Sequence, residues 1–140
     1  MEVQDTLAYL TGRWALTRDL VDHMTGVSGS FAGEARVQTY GRRGRYEEHG
    51  RVRLGTYEGR AERALELVGT DGSAVEVLFT DGRPFFELDL VSGTHRAVHE
   101  CSADLYELEF EVGSADLLVE RWRVRGPTKN FDARTTWLRR

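Results

Sequence analysis

Polar and apolar positions alternate along most of this chain. In "LYELEFEV", residues 105–112, Tyr106, Leu108, Phe110 and Val112 fall on one face, and Glu107, Glu109 and Glu111 on the other. Successive side chains of a strand point to opposite faces, so the pattern predicts a strand with one side buried. "AVEVLFT" places Val75, Val77 and Phe79 together, and "FFELDLV" returns with Phe86, Leu88 and Leu90 inward. Between them lies "TDGRP", where Asp-Gly favours a tight hairpin. In "ERWRVR" Trp122 and Val124 point in while Arg121, Arg123 and Arg125 point out. The last segment carries Phe131, Ala133, Thr135 and Trp137 on one face. Only the first segment reads as a helix: Asp5 can cap it, Leu7, Ala8 and Leu10 give an apolar side, and Gly12 can end it.

The whole pattern gives about ten strands joined by short turns, at the spacing of antiparallel meanders. The expected fold is all-β: an up-and-down antiparallel β-barrel of about ten strands, with a short N-terminal helix, over residues 1–140 as one domain. Closure into a barrel removes both exposed edges. A flat sandwich is the competing architecture, and the short connections, with no long Greek-key crossover, favour the barrel.

Following the apolar face through each strand brings charged residues inward. Arg18 goes with Trp14, Leu16 and Leu20; Glu48 with Tyr46, Val52 and Leu54; Arg63 with Tyr57, Ala61, Leu65 and Leu67. Asp104 shares the face of Tyr106, and Lys129 that of Phe131. His99 and Cys101 share a face, with the turn at Ser102–Ala103 able to shift its phase. Unpaired buried charge costs several kcal/mol, so these groups must pair or meet a polar ligand. Glu48 and Arg63, on adjacent strands, form a natural pair. Two readings follow: internal salt bridges and rim charges, or a polar floor in a cavity walled by Trp14, Phe86, Phe110, Trp122 and Trp137.

Composition narrows the class. The 140 residues are 40% apolar and 30% charged, with net charge −4 and Lys nearly absent beside Arg. An acidic total with dispersed Arg argues against nonspecific nucleic-acid binding. Arg42, Arg43, Arg45, Arg51 and Arg53 read as solvated surface interleaved with Glu. A single cysteine excludes an internal disulfide and a Cys-rich zinc site. No basic-then-apolar leader opens the chain and no run of about 18 apolar residues occurs, so a soluble, cytoplasmic protein without a membrane role is expected. An oligomer is compatible with the sequence.

"HECSADLY", residues 99–106, concentrates the candidate chemistry. His99 and Cys101 lie roughly 6 to 7 Å apart on one strand face, which allows a thiol–imidazole nucleophile pair. A lone strand Cys more often packs as a small hydrophobe. His99, Cys101 and Asp104, with His95 nearby, do not match a known metal-ligand spacing, so no metal is expected. Acid/base work by His99 or Tyr106, oriented by Asp104 or Glu48, fits better. The candidate catalytic residues are therefore His99, Tyr106, Asp104 and Glu48. The candidate ligand-binding residues are Arg18, Arg63, Lys129, Trp122, Phe86, Phe110 and Trp137. "RGPTKN" reads first as a turn, or as the loop that sets Lys129 at the barrel mouth to hold an anionic group.

"TGRW", residues 11–14, resembles the Gly-x-Trp signature of the calycin superfamily, which includes lipocalins and fatty-acid-binding proteins. That resemblance implies that Trp14 plugs one barrel end, with Arg139 or Arg140 stacked over it. "YEEHG" (46–50), "FTDGRPFFELDL" (79–90), "HECSADLY" and "WRVRGPTKNF" (122–131) resemble a family of short bacterial and eukaryotic proteins defined only as a domain of unknown function. This implies a lipocalin-like barrel with no assigned activity. Haem-binding barrels of the nitrobindin type are also similar in architecture. However, "GRWALTR" lacks their later glycines and no His follows His99, so no cofactor is expected. The function expected is a barrel that binds a small, partly anionic organic molecule. The alternative is a small acid/base enzyme, an isomerase, cyclase or lyase, using the same cavity.

Overall fold

A computed structural model describes all 140 residues. Helix α1 (Thr6–Leu10) is followed by ten strands: β1 (Gly12–Asp22), β2 (Val27–Tyr40), β3 (Arg43–Leu54), β4 (Tyr57–Gly69), β5 (Val75–Leu78), β6 (Pro84–Leu88), β7 (Thr94–Cys101), β8 (Asp104–Ser114), β9 (Leu117–Arg125) and β10 (Asn130–Arg139). All ten form one antiparallel sheet in the order β6-β5-β4-β3-β2-β1-β10-β9-β8-β7. The expected all-β barrel with a short N-terminal helix is present. The Asp5 carboxylate caps α1 by accepting from the Ala8 amide at 3.1 Å.

The barrel is nearly closed rather than closed, which corrects the expectation that both edges vanish. First and last strands pair (Trp14 opposite Arg139), whereas consecutive β6 and β7 are the two edges and share no ladder. The seam is crossed instead by a side chain: the His95 ring nitrogen lies 2.7 Å from the Glu87 carbonyl. Register also shifts between Val77 and Leu78, opposite Pro84. A bulge breaks the period-two rule, so Phe85 is buried although Phe86 continues the inward face. Pro84 opens an edge strand, where a missing donor costs no ladder bond.

The two ends of the barrel differ. At the end covered by α1, Trp14 is fully buried and its indole N–H donates to the Leu10 carbonyl at 2.9 Å. Arg139, not Arg140, stacks over it with the guanidinium carbon 4.0 Å from the ring centroid. The Arg139 N–H groups donate to the carbonyls of Tyr9, Thr11 and Ala115. This is the plug that the calycin resemblance implied. On the outer face, Arg45 pairs with Glu47 and Glu66, and Arg42 with Asp5. The core runs along the barrel axis through Leu16, Val37, Leu67, Leu108 and Leu118.

Candidate functional site

Arg18, Glu48 and Arg63 meet inside the barrel because β1, β3 and β4 present them at inward positions, with Glu48 directly opposite Arg63. Glu48 is 5% exposed. It accepts two hydrogen bonds from Arg18 (2.8 and 3.1 Å), one from Arg63 (2.9 Å) and one from the Tyr46 hydroxyl (2.6 Å). Arg18 also donates to the Thr135 hydroxyl at 2.7 Å and lies over the Phe31 ring. That ring sits against Gly50, where any Cβ would collide with it and with the Ala32 carbonyl. Burial alone would raise the Glu48 carboxyl. The Arg18 hydrogen bonds and the fields of Arg63 and Arg18 overcome it and hold the group down to about 2.

A second internal carboxyl went unread in the sequence. Glu120 on β9 has the parity of Trp122 and Val124 and is 4% exposed. No cation lies within ion-pair distance of it, and the Trp137 indole N–H beside it favours its ionised form. Burial pushes its carboxyl above the usual range, against the pull of Arg63 and Arg18 and with repulsion from Glu48. It lines a small cavity of about 40 Å³ with Arg63, Phe86, Phe110, Trp122 and Trp137. By volume that space holds three or four waters, roughly 10–15 Å³ each.

The wider pocket, of about 290 Å³, opens beside Arg63, Ala64 and Leu65, where β4 runs on past its short ladder with β5. Its walls are Leu65, Phe79, Phe85, His99, Tyr106 and Trp122, with Arg63 on its floor and Cys101 on its rim. Phe85 is the hub. Its ring stacks on Phe79 at 4.6 Å and meets His99, Tyr106 and Trp122 edge-on at 5.1, 6.0 and 5.6 Å between centroids. Arg63 lies 4.8 Å over the Trp122 ring, and these two residues border both the pocket and the inner cavity.

The candidate residues from the sequence thus divide into groups. His99 and Tyr106 face each other across β7 and β8 at the mouth. Lys129, the chain's only lysine, donates to the Tyr106 hydroxyl at 3.1 Å from the rim. That bond and the adjacent phenol raise the Lys129 ammonium above its ordinary value. Asp104 lies opposite Cys101, with one carboxylate oxygen buried and unpartnered against Gly126, a position where any Cβ would overlap it. Glu48 and Arg18 belong to the internal network rather than the mouth lining. Phe86, Phe110 and Trp137 wall the inner cavity. Cys101 is exposed, not buried as a small hydrophobe. No group of three or more His, Cys, Asp or Glu is arranged to hold a metal ion. No helix is long and apolar enough to cross a membrane.

Among solved structures, the S-type phycobiliprotein lyase CPES from Guillardia theta superposes with a TM-score of 0.69 at 10% identity, covering 100% of this chain and 93% of that one. The redesigned β-barrel mFAP1 bound to DFHBI gives a TM-score of 0.48 at 8% identity, covering 95% and 97%. A protein of unknown function of the DUF3598 family from Nostoc punctiforme gives 0.48 at 10% identity, covering 98% of this chain and 50% of that one. The first likeness establishes a shared barrel fold. No curated protein matches the chain in sequence. Residues 10–139 match a family of unknown function, and the chain accordingly belongs to the DUF6314 family.

Proposed function

We propose that residues 1–140 act as one barrel domain that binds a small, partly anionic organic molecule at its aromatic mouth. The observation that carries this reading is the pocket of about 290 Å³ whose rings converge on Phe85 and whose floor is the Arg63 guanidinium. An apolar concavity with a few convergent polar groups is the usual form of a ligand site. The glove of aromatic rings suits a flat aromatic or aliphatic body. Arg63 and Lys129 offer positive charge at its two ends. Fold likeness to a phycobiliprotein lyase fits a barrel with such a cavity, while the chemistry rests on these residues alone.

Two measurements test it. Native mass spectrometry of protein purified without denaturation is expected to reveal a retained small molecule or a single binding event with the aromatic anion 8-anilinonaphthalene-1-sulfonate. Alkylation of Cys101, the sole and exposed cysteine at the rim, with N-phenylmaleimide is expected to block that event. Binding with unchanged affinity after alkylation, or no saturable binding at all, overturns the reading.

A second reading, an acid/base enzyme of the isomerase, cyclase or lyase type, draws on one contact: the Lys129 ammonium on the Tyr106 hydroxyl, with His99 across the strand pair. A phenol and an imidazole at one mouth are both groups able to pass a proton to or from a bound molecule. Incubating a recovered ligand with the protein separates the readings. A product mass that vanishes in Tyr106→Phe supports catalysis, and an unchanged ligand leaves binding alone.

A further inference from the structure

The floor of the mouth is also the roof of the inner cavity, and the polar atoms around that cavity are unmatched. The side-chain N–H groups of Arg63 (Nε), Trp122 (Nε1) and Trp137 (Nε1) are buried and make no hydrogen bond. Trp137 is 5% exposed and Glu120 4%. The Trp137 indole N–H lies near enough to Glu120 to favour its ionised form, short of hydrogen-bond geometry. Native interiors leave few such groups unmatched, and each is an unmet desolvation cost.

Charge points the same way. Arg18 and Arg63 bring two positive charges inside, and Glu48, hydrogen-bonded to both, supplies one negative charge. Glu120 is the one carboxyl that borders the cavity, and it sits beyond ion-pair reach of either guanidinium. Burial disfavours its ionised form. With a proton on Glu120, Glu48 leaves one of the two guanidinium charges uncompensated, beside the unmatched N–H groups of Arg63 and Trp122.

We propose that this cavity is an anion subsite that takes the carboxylate head of a ligand whose aromatic or aliphatic body fills the mouth, with Arg63 as its counter-charge and the buried, unmatched N–H groups of Arg63 and Trp122 as its donors. The inference rests on the mouth being a ligand pocket, and it adds the chemical class of the ligand: a monocarboxylate with a flat apolar body. The space of about 40 Å³ accommodates a three-atom head and no more. Arg63, Leu65 and Trp122 line both compartments, so a head in the cavity and a body in the mouth meet at these side chains. Binding is then coupled to a proton on Glu120. The other titratable groups facing it are Tyr46 and Glu48 from β3, Arg63 from β4 and Arg18 from β1, with His99, Tyr106 and Lys129 lying beyond Trp122 at the mouth.

The test uses three matched probes, 2-naphthoate, 2-naphthamide and 2-methylnaphthalene, titrated against tryptophan fluorescence at mildly acidic and at alkaline pH. Wild type is expected to bind naphthoate about tenfold more tightly than the other two at the acidic pH. That preference is expected to shrink at the alkaline pH. Glu120→Gln is expected to keep the preference at both pH values. Arg63→Met is expected to lose it while still binding 2-methylnaphthalene, which also shows that the variant folds. Equal binding of all three probes, or the same pH dependence in Glu120→Gln as in wild type, overturns the subsite and leaves the mouth reading standing. If none of the three binds, both fall together.

Discussion

Both ends of this barrel place an arginine over a tryptophan, and the two pairs are satisfied to very different degrees. At the α1 end, Arg139 and Trp14 stack at 4.0 Å, Arg139 donates to three backbone carbonyls, and the indole N–H donates to a fourth. At the mouth, Arg63 and Trp122 stack at 4.8 Å, Arg63 makes one hydrogen bond, to Glu48, and its Nε and the indole N–H make none. The first pair is a finished piece of structure, fixed by backbone groups that exist only in the folded chain. The second keeps its polar atoms free beside two cavities. Unspent hydrogen-bonding capacity, rather than residue type, separates a plug from a site.

That contrast can be broken at several points. Trp14→Ala removes the largest fully buried side chain and is expected to destabilise the fold by about 3–5 kcal/mol, measured by denaturant unfolding. A comparable loss, about 3–5 kcal/mol, is expected for Glu48→Ala, which strands two guanidinium groups. The wild-type protein should reveal the same carboxylate by acid titration. Because its folded value is lowered to about 2 from 4.5, its contribution is complete above pH 4.5 and is lost as pH falls toward 2.

Glu120 has the opposite sign. Its carboxyl is raised in the folded state, so its contribution is complete below pH 4.5 and declines as pH rises through the folded value. Glu120→Gln is therefore expected to stabilise the protein at neutral pH, by about 1 kcal/mol, and to make little difference near pH 4. Thermal melts across pH check this, and a destabilised Gln variant at neutral pH would count against an ionisation-disfavouring site. The smallest expected effect is Trp122→Phe. Losing a half-buried indole whose N–H bonds to nothing is expected to cost about 1 kcal/mol or less, while probe binding at the mouth weakens.

Much of this was legible before the fold. Alternation alone gives the ten strands, and strand parity brings Arg18, Glu48 and Arg63 to one interior, where they pair. Glu120 was equally readable, since it lies two residues before Trp122 on the same strand face, but a carboxylate next to Arg121, Arg123 and Arg125 has the composition of a solvated strand end. Phe85 was not readable as a hub. A one-residue bulge opposite Leu78 turns both Phe85 and Phe86 toward the core, and period-two counting has no signal for a register shift. The open seam between β6 and β7 was hidden for a related reason. Pattern says which face is buried, not whether two consecutive strands share a ladder.

The central claim is that the two arginine–tryptophan pairs differ in function, and the three tryptophans report it directly. In a ¹H–¹⁵N correlation spectrum the indole N–H groups of Trp14, Trp122 and Trp137 give separate signals. Titration with 2-naphthoate is expected to shift the Trp122 and Trp137 signals, because their N–H groups are free, and to leave Trp14 in place on the Leu10 carbonyl. A shift confined to Trp14, or no shift at Trp122 and Trp137 at saturation, would contradict the account.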